Sequence, residues 1–181
     1  MLPGTCGARA RRPWESPCWV DPVSNGLHLH IKGCLNFSGD ALKDENRVAN
    51  IAINENGDVV GFFVLHQYYQ HEGYDTPENV VYVRSLSVNE KYQGHGYGTK
   101  MMMFLPQYVQ ELFPDFNHLY LVVDAENKGA WNVYERAGFM HTATKEEGPI
   151  GKERLYYLDL DSKHVSSLRL KEGESAYSDD I

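Results

Sequence analysis

Residues 84–100 read RSLSVNEKYQGHGYGTK, and this stretch decides the fold around it. A short apolar strand ends at Val88, a polar turn follows, and glycines alternate with other residues over 94–98 before an apolar, helix-forming stretch begins. Glycines let the backbone come close to a ligand, and the first turn of a helix presents free N–H groups to an anion. A strand that leads into a glycine-rich helix start is therefore typical of a phosphate-binding site.

The spacing of these glycines excludes two common phosphate loops. A P-loop requires G-x-x-x-x-G-K-[ST], whereas here Lys100 follows Gly98 and Thr99 in the wrong order. A dinucleotide fingerprint requires G-x-G-x-x-G, and the last two glycines here are too close together. The pattern that fits is Gln93-x-x-Gly96-x-Gly98.

This pattern resembles the signature of the GNAT superfamily of acetyl-CoA-dependent N-acetyltransferases, which is [Arg/Gln]-x-x-Gly-x-[Gly/Ala] after an apolar strand. A second block further along the chain, NKGAWNVYERAGF at 127–139, is similar to the second motif of the family, Asn…Ala-x-x-x-Tyr-x-x-x-Gly-Phe. The two motifs occur in the family's order, and the resemblance extends from about 48 to 160. Within the superfamily, the polyamine and diamine acetyltransferases are the most similar group.

The resemblance implies a fold and an activity. The fold is α/β, with a GNAT-like mixed, mostly antiparallel sheet and helices on both of its faces. The sheet is expected to splay open between the strand that ends at Val88 and the strand that ends at Val123, with acetyl-CoA in the gap. The expected activity is transfer of the acetyl group to a primary amine of a small molecule, such as a polyamine or an amino acid.

The resemblance also assigns cofactor-binding roles. An extended pantetheine arm has amide groups that the edge of an open strand can match, and the N–H of Val88 would stabilise the acetyl carbonyl oxygen. The glycines of the loop are expected at positions where a side chain would clash with the diphosphate, and His95 and Tyr97 are interpreted as exposed loop residues rather than catalysts. The expected cofactor-binding residues are Leu86, Ser87, Val88, Gln93, Gly94, His95, Gly96, Tyr97, Gly98, Thr99, Asn127 and Ala130.

Tyr134 is the candidate general acid. It lies seven positions after Asn127, so both side chains fall on one face of a two-turn helix. A phenol with a pKa near ~10 suits protonation of a thiolate leaving group. The structural alternatives are a half-buried core tyrosine at 134 and an asparagine at 127 that only caps the helix. No residue is identified as the base that accepts the proton of the amine.

Two residues are assigned to the acceptor. Polyamine acetyltransferases tend to carry an acid just before the cofactor-binding stretch of the strand, but here the chain has Arg84 and Ser85. Arg84 facing the pocket would repel a polyamine and favour a carboxylate-bearing acceptor, whereas pairing with a nearby acid would remove this objection. Glu72, in the polar loop before the strand, is a candidate to attract a cationic acceptor, the alternative being a solvated loop residue.

A non-catalytic interpretation stays open. The first fifth of the chain does not resemble the usual start of the family, which normally builds part of the acceptor pocket there. The chain could therefore bind acetyl-CoA as a sensor or partner module. Tyr134 and the intact glycine loop favour the enzyme.

Composition and charge bound the setting. The net charge is −8, from 17 basic and 25 acidic residues, which argues against a nucleic-acid partner. No apolar run approaches the ~20 residues of a membrane span. The three cysteines lie near the N-terminus with a spacing that fits no metal motif, so we expect no metal and a reducing cytoplasm. The aromatic strand around Tyr156 is a candidate surface for a homodimer.

The sequence divides into an irregular or poorly ordered segment at 1–36, an acetyltransferase domain at 37–160 and an acidic polar tail at 161–181. Asn56-Gly57 predicts a type I′ hairpin, and Pro106 should kink the helix that contains it or remove one hydrogen bond. Helices are predicted over 38–46, 98–113 and 128–137, and strands over 27–31, 48–53, 59–68, 80–88, 118–123, 139–145 and 153–160.

Overall fold

The computed structural model describes residues 19–20, 29–34, 44–148 and 151–160. The strands are β1 (Trp19–Val20), β2 (Leu29–Cys34), β3 (Arg47–Asn54), β4 (Val59–Gln67), β5 (Val80–Val88), β6 (His118–Asp124), β7 (Met140–Gly148) and β8 (Gly151–Asp159). The helices are α1 (Tyr97–Leu112) and α2 (Lys128–Arg136), and a single 3₁₀ turn precedes α1 at Glu90–Tyr92. Helix α1 continues through Pro106.

The strands form one sheet in the order β1-β2-β3-β4-β5-β6-β8-β7. Every neighbouring pair is antiparallel except β5 and β6, which are parallel. The predicted mixed, mostly antiparallel α/β fold is confirmed, and the element order predicted from β3 onward matches. Strand β8 is paired on both sides, by β6 and β7, so the predicted use of the strand around Tyr156 as a dimer edge is wrong. A dimer that extends the sheet would need an outer strand such as β7.

The described parts of the N-terminal segment are strands of the sheet. Within 1–36, β1 and β2 extend the sheet beyond β3, and the Leu29 and Ile31 side chains of β2 are 1% exposed in the main core. Burial of these alternating apolar residues against the rest of the core stabilises the strand. The helix predicted over 38–46 lies outside the described residues except for 44–46, which do not form a helix. The predicted tail at 161–181 also lies outside the described residues.

The β3–β4 hairpin forms at the predicted position, but its turn type differs. Gly57 has a φ of +86°, whereas Asn56 does not have the positive φ that a type I′ turn requires. The Gly57 N–H donates to the Asn54 carbonyl (3.1 Å), and the Asn54 N–H donates to the Asp58 carbonyl (3.0 Å). The connection is therefore a three-residue loop in which glycine holds the left-handed position after the turn.

The two faces of the sheet are covered differently. Both described helices pack on one face, here called the helical face, where they share a core with residues such as Phe63, Leu121 and Tyr156. The opposite face is called the aromatic face and is defined by the buried cluster of Val80, Tyr82, Tyr120 and Leu155. The segment between β4 and β5 covers this cluster. The sequence predicts helices on both faces of the sheet, but the two helices of the described residues lie on the same face.

The sheet splits between β5 and β6. These parallel strands pair only over three residues of each, with Val80 opposite His118 and Tyr82 opposite Tyr120. Beyond this point β5 continues to Val88 and β6 to Asp124 without pairing to each other, so the two strands diverge into an open wedge. The predicted splay is confirmed. None of the helices in the described ranges is long and apolar enough to cross a bilayer.

Candidate active site

A bulge in β5 lies at the start of the wedge. The pairing of β4 with β5 shifts between Phe62–Ser87 and Val64–Arg84, so two residues of β5 stand opposite one residue of β4. One of the two, Ser85, has a φ of +55°, which is unusual for a residue other than glycine. An extra residue reverses the side-chain alternation. Valines 81 and 83 therefore face the helical core before the bulge, and Leu86 and Val88 pack against the same core after it.

The bulge also reverses which backbone groups face the wedge. Before it, the Val80 carbonyl accepts a hydrogen bond from the Tyr68 N–H (3.0 Å), so it faces the β4 side. After it, the N–H of Asn89 donates to the Val60 carbonyl of β4 (2.9 Å). Since successive residues of a strand point their backbone groups to opposite edges, the groups of Val88 point away from β4, toward the wedge.

The glycine loop leaves space for a ligand. Gly94 and Gly96 have φ values of +76° and +85°, and a Cβ built on either would meet no protein atom within 4 Å. These glycines are therefore required by the backbone conformation and not by crowding within the protein. Gly98 differs, because its Cβ would lie 3.3 Å from the Val88 Cγ2 atom, so it allows α1 to pack closely on β5.

The start of α1 has the properties of an anion site. Its N-cap is Gly96, which has no side chain to cap the helix, and no acidic residue occupies the first turn. The first backbone bond of the helix runs from the Lys100 N–H to the Gly96 carbonyl (3.0 Å), so the preceding N–H groups are not used within the helix. The Gln93 side chain donates to the Val88 carbonyl (3.1 Å) and ties the loop to the end of β5.

Helix α2 begins and ends with defined caps. The Asn127 side chain accepts a hydrogen bond from the Ala130 N–H (3.1 Å), which confirms the predicted cap. At the other end, Gly138 has a φ of +91° and its N–H donates to the Glu135 carbonyl (3.1 Å), while the Phe139 N–H donates to the Tyr134 carbonyl (3.0 Å). These two bonds define a Schellman motif, which ends the helix just after Tyr134.

Tyr134 is held in an apolar setting. Its side chain is 7% exposed, and its ring lies 6.4 Å from the Phe139 ring and 5.9 Å from the Tyr156 ring, centroid to centroid. Burial raises the pKa of the Tyr134 hydroxyl to about 12, because the charged phenolate loses its hydration there. The phenol is therefore fully protonated at neutral pH.

Two cavities meet in the wedge. The larger, of about 710 Å³, lies between the glycine loop, the end of β5 and α2. The smaller, of about 360 Å³, lies between β5 and β6. Leu86, Asn127 and Tyr134 line both cavities, so Tyr134 lies at their junction.

Most residues that the sequence assigns to the cofactor surround the larger cavity. They are Leu86, Ser87, Val88, Gln93, Gly94, Gly96, Tyr97, Gly98, Thr99, Asn127 and Ala130. His95 is not among the lining residues, and its Nδ1 atom lies 2.8 Å from the Gln93 carbonyl oxygen. Arg84 lines the smaller cavity, with its guanidinium carbon 5.5 Å from the centroid of the Tyr69 ring. Glu72 lines neither cavity and is exposed.

Sequence reasoning missed several lining residues of the larger cavity, namely Tyr92, Gly129, Val133 and Arg136. The α2 members follow from helical spacing, because Val133 lies three residues after Ala130 on the same face. Arg136 adds a positive charge to the cavity. An anionic diphosphate fits a site with open glycines, an uncapped helix start and a nearby arginine.

The chain belongs to the GNAT acetyltransferase family. The family model described as "Acetyltransferase (GNAT) family" matches residues 10–139. This match includes β1 and β2 as well as both sequence motifs.

Two curated relatives come from Bacillus subtilis strain 168. An uncharacterized N-acetyltransferase, YbbJ, is 30% identical over 99 residues, covering 54% of this chain and 62% of the relative. A spermine/spermidine N(1)-acetyltransferase is 32% identical over 83 residues, covering 46% and 53% respectively. The chain thus aligns with between half and two thirds of the length of these relatives.

Solved structures share the fold at low sequence identity. The spermidine/spermine N-acetyltransferase SpeG from Vibrio cholerae, determined with manganese ions, has a TM-score of 0.60 at 15% identity and covers 77% of this chain and 96% of its own. The aminoglycoside acetyltransferase AAC(6')-Ib, determined with coenzyme A and kanamycin, has a TM-score of 0.57 at 24% identity, covering 71% and 74%.

Proposed function

We propose that this protein is an acetyl-CoA-dependent N-acetyltransferase that acts on a primary amine of a small molecule. The observation that carries the proposal is the junction of two cavities at Tyr134, with a glycine loop suited to a diphosphate at the far side of the larger one. The names of relatives and structural neighbours, which include acetyltransferases for spermidine and for aminoglycosides, support an amine acceptor.

Acetyl-CoA would occupy the larger cavity. The N–H groups at the start of α1 and the guanidinium of Arg136 would bind its phosphates. The free backbone edge after the β5 bulge would hold the pantetheine amides, as a peptide strand is held at the edge of a sheet. The phosphates would thus lie at the start of α1, and the thioester would lie at the junction of the two cavities near Tyr134.

The chemistry needs a nucleophile, a stabilised carbonyl oxygen and a proton for the leaving group. The neutral amine nitrogen forms a bond to the acetyl carbon, the carbon–sulfur bond breaks, the nitrogen releases one proton to water, and the thiolate takes one up. The proton that the nitrogen releases balances the one that the acid gives away. We assign this proton to the Tyr134 hydroxyl, whose pKa of about 12 keeps it protonated until the thiolate forms. The N–H of Val88, which points toward the wedge, is the proposed donor to the carbonyl oxygen, a role worth ~3 kcal/mol.

The acceptor would approach through the smaller cavity. Arg84 lines this cavity and makes a cation–π contact with Tyr69. Its positive charge favours an acceptor that carries a carboxylate, such as an amino acid, over a compact cation at the same position. An acceptor that keeps its other cationic groups away from Arg84 is equally compatible. Glu72 remains a predicted attractor of cations at a distance, since it lies outside the lining of both cavities.

A thiol-release assay separates the enzyme from a non-catalytic acetyl-CoA sensor. The protein would be incubated with acetyl-CoA and a panel of butylamine, spermidine, amino acids and a lysine peptide. Release of free thiol that depends on an amine, and that Tyr134→Phe reduces, supports the enzyme. Tyr68→Phe is the matched control, since Tyr68 is 56% exposed and lines neither cavity. Tight binding of coenzyme A without thiol release across the panel would favour the sensor.

We place the protein in the cytoplasm as a protein without nucleic-acid or membrane partners, on the basis of its cysteine usage and its net charge of −8. A homodimer remains a prediction, and the outer strand β7 is one edge of the sheet at which it could form.

A further inference from the structure

A buried carboxylate on the aromatic face has no ionic partner among the described residues. Glu153, on β8, is 2% exposed, and its Oε2 atom is buried without a hydrogen-bond partner there. A carboxylate taken out of water is strongly destabilised unless a cation or hydrogen-bond donors compensate it. The position of Glu153 therefore needs an explanation beyond packing.

The cation on the neighbouring strand makes another contact. Lys145 on β7 is the cross-strand partner of Glu153, but its Nζ atom donates to the Glu72 carbonyl oxygen at 3.2 Å. On the other side, β6 places Asp124 directly opposite Glu153, and like charges in this position repel each other. Glu153 thus lies between an acid that repels it and a lysine whose ammonium group donates to a backbone carbonyl.

Gly148 leaves room for this carboxylate. A Cβ built on Gly148 would lie only 2.1 Å from the Glu153 Cδ atom, so a side chain at 148 would displace the carboxylate. The pairing of β7 with β8 shifts between Lys145 and Gly148, which brings this glycine into position. The local structure therefore supports the buried position of Glu153.

A second polar group beside it is also unsatisfied. The hydroxyl of Tyr74 is buried and has no hydrogen-bond partner within the described part of the chain. Tyr74 packs against the cluster that contains Leu155, two residues from Glu153 on β8, and burial, and then the charge of Glu153, raises the pKa of the Tyr74 phenol. A carboxylate and a hydroxyl oxygen can both accept hydrogen bonds from an ammonium group.

The surroundings favour a cation. Tyr74 packs against an aromatic cluster in which the Tyr69 and Tyr82 rings stack at 4.9 Å and the Tyr82 and Tyr120 rings lie 4.8 Å apart. Aromatic faces attract cations. Tyr82 of this cluster and Asp124, the β6 neighbour of Glu153, line the smaller cavity, and Glu153 and Tyr74 lie behind this lining.

We propose that Glu153 and Tyr74 bind the distal ammonium group of an acceptor that carries two or more amines, while its reacting amine lies near Tyr134. The inference rests on the proposed function and names the class of acceptor for the same site.

The test measures binding of two amines of equal carbon number to the protein saturated with coenzyme A. Calorimetry would compare 1,4-diaminobutane with butylamine. The wild-type protein is expected to bind the diamine at least about tenfold more tightly, the effect of one charge-assisted hydrogen bond. Glu153→Gln should abolish this preference and Tyr74→Phe should reduce it. Glu147→Gln is the matched control, since Glu147 is an exposed acid of β7 and should keep the preference.

The outcomes separate this inference from the proposed function. An unchanged diamine preference in Glu153→Gln, or no preference in the wild type, overturns the inference even where coenzyme A binds and butylamine releases thiol. Absence of coenzyme A binding, or of thiol release with every amine, overturns the proposed function instead. Should Glu153→Gln fail to fold, Tyr74→Phe keeps the inference testable, because it removes only a hydroxyl, and a full diamine preference in that variant counts against the site.

Discussion

The N–H of Phe139 donates a hydrogen bond to the Tyr134 carbonyl at 3.0 Å. This bond and the left-handed Gly138 end α2 in a Schellman motif, and the two aromatic rings lie 6.4 Å apart. The sequence Tyr-x-x-x-Gly-Phe therefore ends the helix and fixes the position of Tyr134, the candidate acid.

Replacing Gly138 should loosen this arrangement. Gly138→Ala forces a residue with a Cβ into a φ of +91°, and we expect the free energy of unfolding to fall by about 1–2 kcal/mol. The rate of acetyl transfer should fall as well, since Tyr134 shifts. Urea denaturation and thiol release measure the two effects. Gly129→Ala is the stability control, because its Cβ would meet only the Asn127 Oδ1 atom at 3.9 Å, and a loss of stability there as large as at 138 would contradict the account.

The pH dependence of kcat/KM should show no loss of the protonated Tyr134 hydroxyl near neutral pH. Because burial raises the pKa of Tyr134 to about 12, above the usual ~10, its ionisation leaves stability unchanged below pH ~10 and destabilises the fold as the pH rises from there to about 12. We expect kcat/KM to rise with pH as the amine loses its proton, with no falling limb due to Tyr134 below pH ~10. A falling limb below that pH that disappears in Tyr134→Phe would contradict this assignment.

Removing the Tyr134 hydroxyl should slow catalysis with little effect on cofactor binding. Tyr134→Phe keeps the ring and its packing, so we expect kcat to fall about 100-fold, within the usual range for a general acid. The affinity for coenzyme A should stay within about twofold. An unchanged kcat would show that the leaving thiolate obtains its proton elsewhere.

The β5 bulge should tolerate substitution poorly at one serine and well at the next. Ser85 has a φ of +55°, where a β-branched residue is strained, so Ser85→Val should lower the free energy of unfolding by about 1 kcal/mol or more. Ser87 is also exposed and lies in the same strand without a positive φ. Ser87→Val should change stability by less than about 0.5 kcal/mol. Equal effects of the two changes, measured by urea denaturation, would count against strain at the bulge.

The glycine loop offers a matched pair of positions. Gly96 and Gly57 have φ values of +85° and +86°, and a Cβ added at either would meet no protein atom within 4 Å. Alanine at either position should cost about 1 kcal/mol of stability. Only Gly96→Ala should weaken binding of coenzyme A, by about tenfold or more, because Gly96 lines the larger cavity and Gly57 does not. Equal affinity in both variants would remove the loop from the cofactor site.

The motifs were predictable because each is short and local. Asn127, Ala130 and Tyr134 lie within one helix and its cap, so their spacing alone brings them to one side of it. The switch of apolar positions in β5, from 81 and 83 to 86 and 88, also carried the signal of a bulge. Sequence reasoning did not use that signal, although it decides which backbone edge faces the wedge.

Other parts of the site depend on contacts between distant segments. The neighbours of Glu153 follow from the register of β6, β7 and β8 and from the packing of Tyr74, in the segment between β4 and β5, against the aromatic face. A polar residue in a strand gives no indication from sequence that its carboxylate will be buried without a partner. The turn at Asn56-Gly57 is a smaller example of structure that local sequence does not determine. The dipeptide predicts a hairpin, but the position of the glycine within the loop decides the type of turn.

The central claim is that the wedge between β5 and β6 binds coenzyme A, and a calorimetric titration of the purified protein with coenzyme A tests it most directly. The account predicts saturable binding of one molecule per chain, with a Kd in the range of about 1 μM to 1 mM that is typical of enzyme substrates, and weaker binding to Gly96→Ala than to Gly57→Ala. Absence of any binding heat at millimolar coenzyme A, from a protein shown to be folded, would contradict it.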